Sequence, residues 1–151
     1  MPTIQAGFRV GKNGETAADL LAKLGPTLLV DLGLKSRSAP GQTPDLAAKG
    51  VRALIDTGAG ANCIDDGLAR SLGLQPTDEG EVIGIGGRSP AFIYTARLYI
   101  PSLERLLFQP FAGVKLAEGD QWHRVILGRT FLRPYSVAYD GRTGQVEIAD
   151  L

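Results

Sequence analysis

Glycine and proline interrupt this chain at short intervals, which limits what it can fold into. Twenty glycines and nine prolines are set among short runs of β-branched and other apolar residues, without long periodic stretches. Such a pattern favours a turn-rich sheet protein and argues against a helix bundle. With 151 residues, the chain is long enough to bury one hydrophobic core. We therefore predict one mainly all-β domain with small appendages.

One or two short helices are expected within this sheet protein. Residues 16–24 form an amphipathic stretch with Thr16 as N-cap, and residues 66–72 form a second one with Asp66 as cap. Residues 128–133 add a brief helical turn. The first helix either packs on the outside of the domain or belongs to a removable pro-segment or a partner-docking arm.

Strands account for the remaining apolar runs, which are 28–34, 51–56, 81–85, 91–100, 124–127, 136–139 and 145–148. The polar stretch 36–50 is predicted to be a long hairpin loop, and the glycine-rich residues 86–89 to be the tip of a second hairpin.

The charge balance narrows the possible partners. Sixteen basic and sixteen acidic side chains give a formal net charge of zero, so nucleic acid is not an expected partner. No secretory signal pattern and no membrane-spanning apolar run are evident, and we expect a soluble, cytoplasmic protein. A single cysteine, Cys63, and a single histidine, His123, cannot form a zinc cage. We expect no metal and no cofactor.

An aspartate stands where an apolar strand runs into a tight turn, in the sequence Ala53-Leu54-Ile55-Asp56-Thr57-Gly58-Ala59. A glycine after such a carboxylate lets backbone N–H groups approach it without a Cβ in the way, and the threonine hydroxyl can bond to a neighbouring loop. Aspartate and glycine are common turn residues, so the triplet alone is weak evidence for catalysis.

Two later motifs strengthen the interpretation. The first is Ile83-Gly84-Ile85-Gly86-Gly87, a flexible hairpin tip suited to closing over an extended peptide; the second is Val125-Ile126-Leu127-Gly128-Arg129-Thr130-Phe131-Leu132, an apolar strand that leads into a helical turn. In this order and approximate spacing, the three motifs resemble those of the retropepsin-like (retroviral-type) aspartic proteases. The resemblance covers roughly residues 27–148.

The resemblance implies a single-lobe acid-protease β-barrel with a glycine-rich flap hairpin, formed by residues 27–151 after an N-terminal extension, 1–26. Asp56 is then the catalytic aspartate, the Thr57 hydroxyl braces the partner's equivalent loop across a twofold axis, and Gly58 contacts substrate. The implied substrate-binding residues are Ala59, the flap residues Gly84, Ile85, Gly86 and Gly87, and the pocket residue Ile126.

The chain also departs from the retroviral pattern. In many retroviral enzymes acidic residues stand at the positions of Gly60 and Ala61, where they bind the substrate backbone and pair with the arginine of the closing motif. Arg129 therefore needs another partner in this chain. The segment from Ile126 to Val146 resembles the closing segment of a pepsin lobe, which implies a subunit interface built from terminal strands.

Other candidates are assigned structural roles. Asp31 is followed by Gly33 but lacks the hydroxyl-Gly-Ala pattern, and is predicted to be an ordinary strand residue. Cys63 is interpreted as a buried small apolar group rather than a redox switch. Trp122 and His123 are interpreted as surface-loop residues, with substrate contact as the alternative.

One catalytic aspartate per chain has a direct consequence. Metal-free peptide hydrolysis needs one carboxylate to take a proton from water while a second acid polarises the carbonyl. The sequence therefore predicts an aspartic endopeptidase that acts on polypeptides as a homodimer, with two Asp56 side chains sharing one proton. The alternative is a dimeric binding or scaffolding module of the same fold with little activity.

Overall fold

The computed structural model describes residues 3–34 and 46–150. In these residues strand predominates: β1 (Thr3–Gln5), β2 (Thr27–Gly33), β3 (Ala48–Ile55), β4 (Cys63–Asp65), β5 (Pro76–Gly84), β6 (Gly87–Ile100), β7 (Arg105–Val114), β8 (Val125–Leu127), β9 (Tyr135–Asp140) and β10 (Gln145–Asp150). The helices are short: α1 (Ala17–Leu24), α2 (Asp66–Ser71), α3 (Arg129–Leu132) and a 3₁₀ turn at Pro101–Leu103. The predicted mainly all-β class is confirmed.

Six strands close into a barrel. Their order is β2-β3-β8-β4-β7-β6, and β6 pairs back onto β2, so that the ring has no free edge. Strand β5 lies outside the ring and pairs with β6 as a long hairpin. The barrel is filled by apolar side chains, which include Val30, Leu32, Ile64, Leu98, Phe111, Val125 and Leu127. This is the barrel with an attached flap hairpin that the sequence predicted.

The two ends of the described chain meet in a second sheet. Its order is β1-β10-β9, antiparallel throughout, with β10 in the centre and β9 at one edge. Ile4, Val146 and Ile148 are buried in the same core as the barrel residues. Strands β9 and β10 follow the prediction, whereas β1 was not predicted.

Helix α1 begins with a complete capping box. The Asp19 N–H donates to Thr16 Oγ1 at 3.1 Å, and the Thr16 N–H donates to Asp19 Oδ2 at 2.9 Å. Leu21, on the inner face, is only 1% exposed and belongs to the common core. The helix therefore packs on the outside of the domain, against β10; the domain boundary after residue 26 stays a prediction.

Some predicted boundaries shift. The N-cap of α2 is Asp65, not Asp66, because Asp65 ends the buried strand β4 and its Oδ2 accepts from the Leu68 N–H at 3.1 Å. Strand β3 begins at Ala48, earlier than predicted, and pairs antiparallel with β2. Most of the predicted 36–50 loop lies outside the described residues.

Strand β7 was not predicted from the sequence. It contains Pro110, which weakens a strand signal because proline cannot donate to the sheet. In the structure Pro110 stands opposite Thr95, and β7 pairs with β6 from Arg105 to Ala112 and with β4 from Ala112 to Val114. Tertiary pairing outweighs the local signal here.

Candidate active site

The position of Asp56 is set by the parallel pairing of two barrel strands. Strands β3 and β8 run side by side, with Ile55 opposite Leu127, and end at the same edge of the barrel. The Asp56 N–H donates to the Leu127 carbonyl at 3.0 Å, which anchors the start of the loop. The Asp56 carboxylate accepts the Gly58 N–H at 2.8 Å, and a Cβ at position 58 would lie 3.1 Å from the same oxygen. Glycine thus permits a close backbone contact with this carboxylate.

The segment after β8 fastens the Asp56 loop at several points. The Arg129 N–H donates to the Ala59 carbonyl at 2.8 Å, and Arg129 Nη1 donates to the Thr57 carbonyl at 2.8 Å. Thr130 donates to the Gly60 carbonyl through its N–H at 3.1 Å and its hydroxyl at 2.8 Å. The loop carbonyls point into this segment, which orders the loop around Asp56.

Asn62, at the end of the Asp56 loop, also binds the segment after β8, a role that was not predicted from the sequence. Its side chain is 1% exposed, its Oδ1 accepts the Gly128 N–H at 3.0 Å, and its Nδ2 donates to Gln109 at 3.0 Å. A buried amide must have such partners. The available signal was a polar residue within an otherwise apolar run, just before β4.

We expect Gly128→Ala to destabilise the protein, because a Cβ there would lie 2.6 Å from the Ala61 carbonyl oxygen and 2.7 Å from that of Ala59. Backbone cannot move aside as a flexible side chain can, so the free energy of unfolding should fall by about 1–3 kcal/mol. Urea unfolding followed by circular dichroism measures the change.

The matched control is Gly86→Ala. A Cβ at Gly86 meets nothing within 4 Å, and its φ is not in the left-handed region. Its unfolding free energy should stay within about 0.5 kcal/mol of the parent. Equal unfolding midpoints for the two variants would contradict the packing described for Gly128.

The flap is the hairpin of β5 and β6. Its tip is the turn Ile85-Gly86, between the paired residues Gly84 and Gly87, so it lies earlier than the predicted 86–89. Gly87 has φ +105°, a conformation that favours glycine. Ile85 is fully exposed and Ile83 is 71% exposed, which leaves apolar side chains at the tip uncovered in the single chain.

A cleft of about 460 Å³ lies between the Asp56 loop and the flap hairpin. It is lined by Gly58, Ala59, Gly60, Ala61, Asn62, Cys63, Glu81, Val82, Ile83, Ile93, Pro110, Phe111, Ala112, Arg129 and Thr130. A second cavity of about 610 Å³ is lined by flap residues that include Gly84, Gly86 and Gly87, and by Asp66, Gly113, Val114 and Lys115 from the barrel. The flap therefore borders open space on both sides.

The predicted substrate-binding residues do not all line the same cavity. Ala59 lines the cleft, and the flap glycines line the second cavity. Ile126 is half-buried in β8, opposite Leu54 of β3 and Cys63 of β4, and is not among the described residues that line either cavity. Its role as a pocket residue stays a prediction.

Cys63 and His123 are both buried. Burial raises the pKa of the Cys63 thiol, and the nearby Asp56 carboxylate raises it further, which fits a small buried group. His123 is 3% exposed and its Nε2 lies 2.8 Å from the Thr27 hydroxyl. Burial lowers the His123 pKa, and Arg52 adds to the effect. The interpretation of His123 as a surface-loop residue is therefore wrong.

Trp122 is partly exposed. The Arg52 guanidinium stacks over the Trp122 ring, with Arg52 Cζ 4.3 Å from the ring centroid. Asp31 is an ordinary residue of β2, as predicted, and accepts the Gly50 N–H at 2.8 Å.

Across residues 3–34 and 46–150 no group of three or more potential metal ligands comes together. No helix in this part of the chain is long and apolar enough to cross a membrane.

Comparison with known proteins places this geometry in context. Residues 43–131 match the family model described as aspartyl protease. No curated protein matches the chain significantly. Among solved structures, the chain is similar to the solution structure of simian foamy virus (mac) protease, with 10% sequence identity and a TM-score of 0.46. That alignment covers 71% of this chain and 91% of the viral one.

Proposed function

Since this chain belongs to the aspartyl protease family, whose model spans more than half of its residues, we propose that it is an aspartic endopeptidase that hydrolyses peptide bonds as a homodimer. Each subunit supplies one Asp56. The observation that carries the proposal is the ordered Asp56 loop, which borders a cleft roofed by a glycine-tipped hairpin.

The second carboxylate of such an enzyme has to come from elsewhere. Glu81 also lines the cleft, but it lies on flap strand β5 and pairs with Arg88, with Oε2 and Nη1 3.6 Å apart. Asp65 is buried and accepts N–H groups from Leu68, Leu116 and Ala117. Neither is hydrogen-bonded to Asp56 in the described part of the chain, which favours a second copy of the chain as the source of the second carboxylate.

Two features of the single chain favour such pairing. Thr57 and Gly58 are exposed on the loop that would meet its symmetry mate. Among the described strands, β9 has an unpaired edge in the β1-β10-β9 sheet, and Val137 and Tyr139 are exposed along it. Exposed strand edges pair readily with other chains, and twofold pairing makes each contact twice.

In the proposed reaction a water molecule sits between the two Asp56 carboxyl groups. The ionised one takes a proton from the water as its oxygen attacks the carbonyl carbon, while the protonated one donates to the carbonyl oxygen. The tetrahedral intermediate then breaks its C–N bond as a proton moves to the nitrogen. The products are a carboxyl group and an amine.

This mechanism predicts a bell-shaped dependence of kcat/KM on pH, with its optimum below neutral. If both carboxyls are protonated the pair lacks a base, and if both are ionised it lacks an acid. Initial cleavage rates of one peptide from about pH 3 to about pH 8 measure the profile. Circular dichroism in the same buffers separates loss of activity from unfolding, and a flat profile in folded protein would rule out the shared-proton pair.

The direct test is digestion of a mixed peptide library by the parent and by Asp56→Asn, with products identified by mass spectrometry. We expect new termini with the parent and none with the variant. A parent that binds peptides but cleaves none would instead support the binding-module alternative.

A further inference from the structure

Arg129 places a positive charge in the wall of the proposed substrate cleft. Its side chain is exposed and lines the space between the Asp56 loop and the flap. Nη1 donates to the Thr57 carbonyl at 2.8 Å, which holds one side of the guanidinium. Among residues 3–34 and 46–150, Arg129 has no ion-pair partner. Its remaining N–H groups are open to a ligand.

The loop residues that touch the guanidinium, Thr57 and Gly60, supply no carboxylate to pair with this charge. The adjacent loop residues are Gly60 and Ala61, and Nη2 lies 3.4 Å from where a Cβ of Gly60 would be. The guanidinium is thus packed against the Gly60 part of the Asp56 loop, where no acidic side chain stands. Glu81, the acidic residue that lines the cleft, is engaged by Arg88.

The rest of the cleft wall is mainly apolar. Ile83, Ile93, Phe111 and Ala112 contribute to it. Charges in such partly apolar surroundings are screened less than in bulk water, so an anion bound beside Arg129 gains more than it would on an open surface. A carboxylate also matches the fork of N–H groups on a guanidinium, whereas a neutral amide does not.

We propose that Arg129 is a specificity-determining residue that binds a glutamate or aspartate side chain of the peptide substrate. The proposal rests on the proposed peptidase function and names the substrate class of the same site: peptides with an acidic residue close to the scissile bond, next to apolar residues. Arg129 binds and positions the substrate and takes no part in proton transfer.

The test uses peptide pairs that differ only by glutamate or glutamine at each position around a cleaved bond. At one position kcat/KM should be about tenfold higher for the glutamate peptide than for the glutamine peptide, because a charge-assisted hydrogen bond usually has an effect of about this size. The ratio should fall to about one in Arg129→Gln and stay above one in Arg129→Lys, which keeps the charge. Because each ratio is taken within one protein, a general loss of activity from the Thr57 contact does not affect it.

Arg133→Gln is the matched control. Arg133 is exposed, follows α3 and is not among the residues that line the cleft. The ratio of kcat/KM for the glutamate peptide to that for the glutamine peptide should therefore be the same in Arg133→Gln as in the parent. In the parent the preference should also fade below about pH 4, where a glutamate side chain is protonated. The proposal is overturned by equal rates for both peptides, or by a preference that survives in Arg129→Gln.

Binding separates this proposal from the proposed function. The Asp56→Asn chain, titrated with the same fluorescently labelled peptide pairs, should bind the glutamate peptide more tightly, and Asp56→Asn combined with Arg129→Gln should not. If the parent cleaves nothing and this difference is present, the peptidase proposal fails and acidic-peptide recognition stands. If the difference is absent, the Arg129 proposal fails whatever the cleavage result.

Discussion

Asp56→Asn is expected to lower the rate of peptide cleavage by about 10³-fold or more, since it removes the group that accepts the proton from water. The amide has the shape of the carboxyl group and its oxygen can still accept the Gly58 N–H, so the loop should keep its conformation. Steady-state kinetics on a peptide found in the library experiment measure the loss.

The control for this variant is Asp31→Asn. Asp31 stands in β2 and also accepts a backbone N–H, that of Gly50 at 2.8 Å, so the two substitutions are chemically matched. Asp31→Asn should retain nearly the parent rate. A comparable loss in both variants would indicate a general effect on folding, and full activity of Asp56→Asn would remove Asp56 from the mechanism.

The second large effect is expected in mixtures of subunits. With about a ninefold excess of Asp56→Asn chains under exchanging conditions, only about one parent subunit in ten pairs with another parent subunit. A mixed dimer keeps its interface but carries a single ionisable Asp56. The activity per parent subunit should therefore fall about tenfold, because each site needs both aspartates.

Native mass spectrometry with an affinity-tagged variant verifies that mixed dimers form. The same excess of Asp31→Asn chains, whose active-site loop is intact, is the control and should not inhibit. If the parent keeps its full activity although mixed dimers are present, one Asp56 is sufficient or Asp56 is not catalytic. Dilution offers an independent check, since the specific activity should fall once the dimer dissociates.

Local sequence was sufficient for the elements that depend on near neighbours. The capping pattern at Thr16 predicted the start of α1, and the glycine-rich run around Gly86 predicted a hairpin between two strands. These predictions were possible because turns, caps and strand alternation are governed by residues that lie within a few positions of one another. The barrel with its flap was implied by the family resemblance of the three motifs and not by local sequence.

Where contacts join distant segments, the sequence was not sufficient. Strand β7 contains Pro110 and exists because β6 and β4 pair with it. His123 is buried beside Thr27, 96 positions away, although its neighbours are typical of a loop. Asp65 caps α2 in place of Asp66 because β4 ends there with both oxygens of Asp65 already surrounded by N–H donors.

The active-site loop shows the same division. The sequence by itself determined that Asp56 ends an apolar strand and is followed by Thr57 and Gly58, since strand and turn preferences are local properties. Only the tertiary structure decided that Asn62 and Arg129 fasten this loop, and that the Arg129 guanidinium remains open toward the cleft. Those contacts join the loop after β3 to the segment after β8, and they depend on how the barrel strands pack rather than on any short stretch of residues.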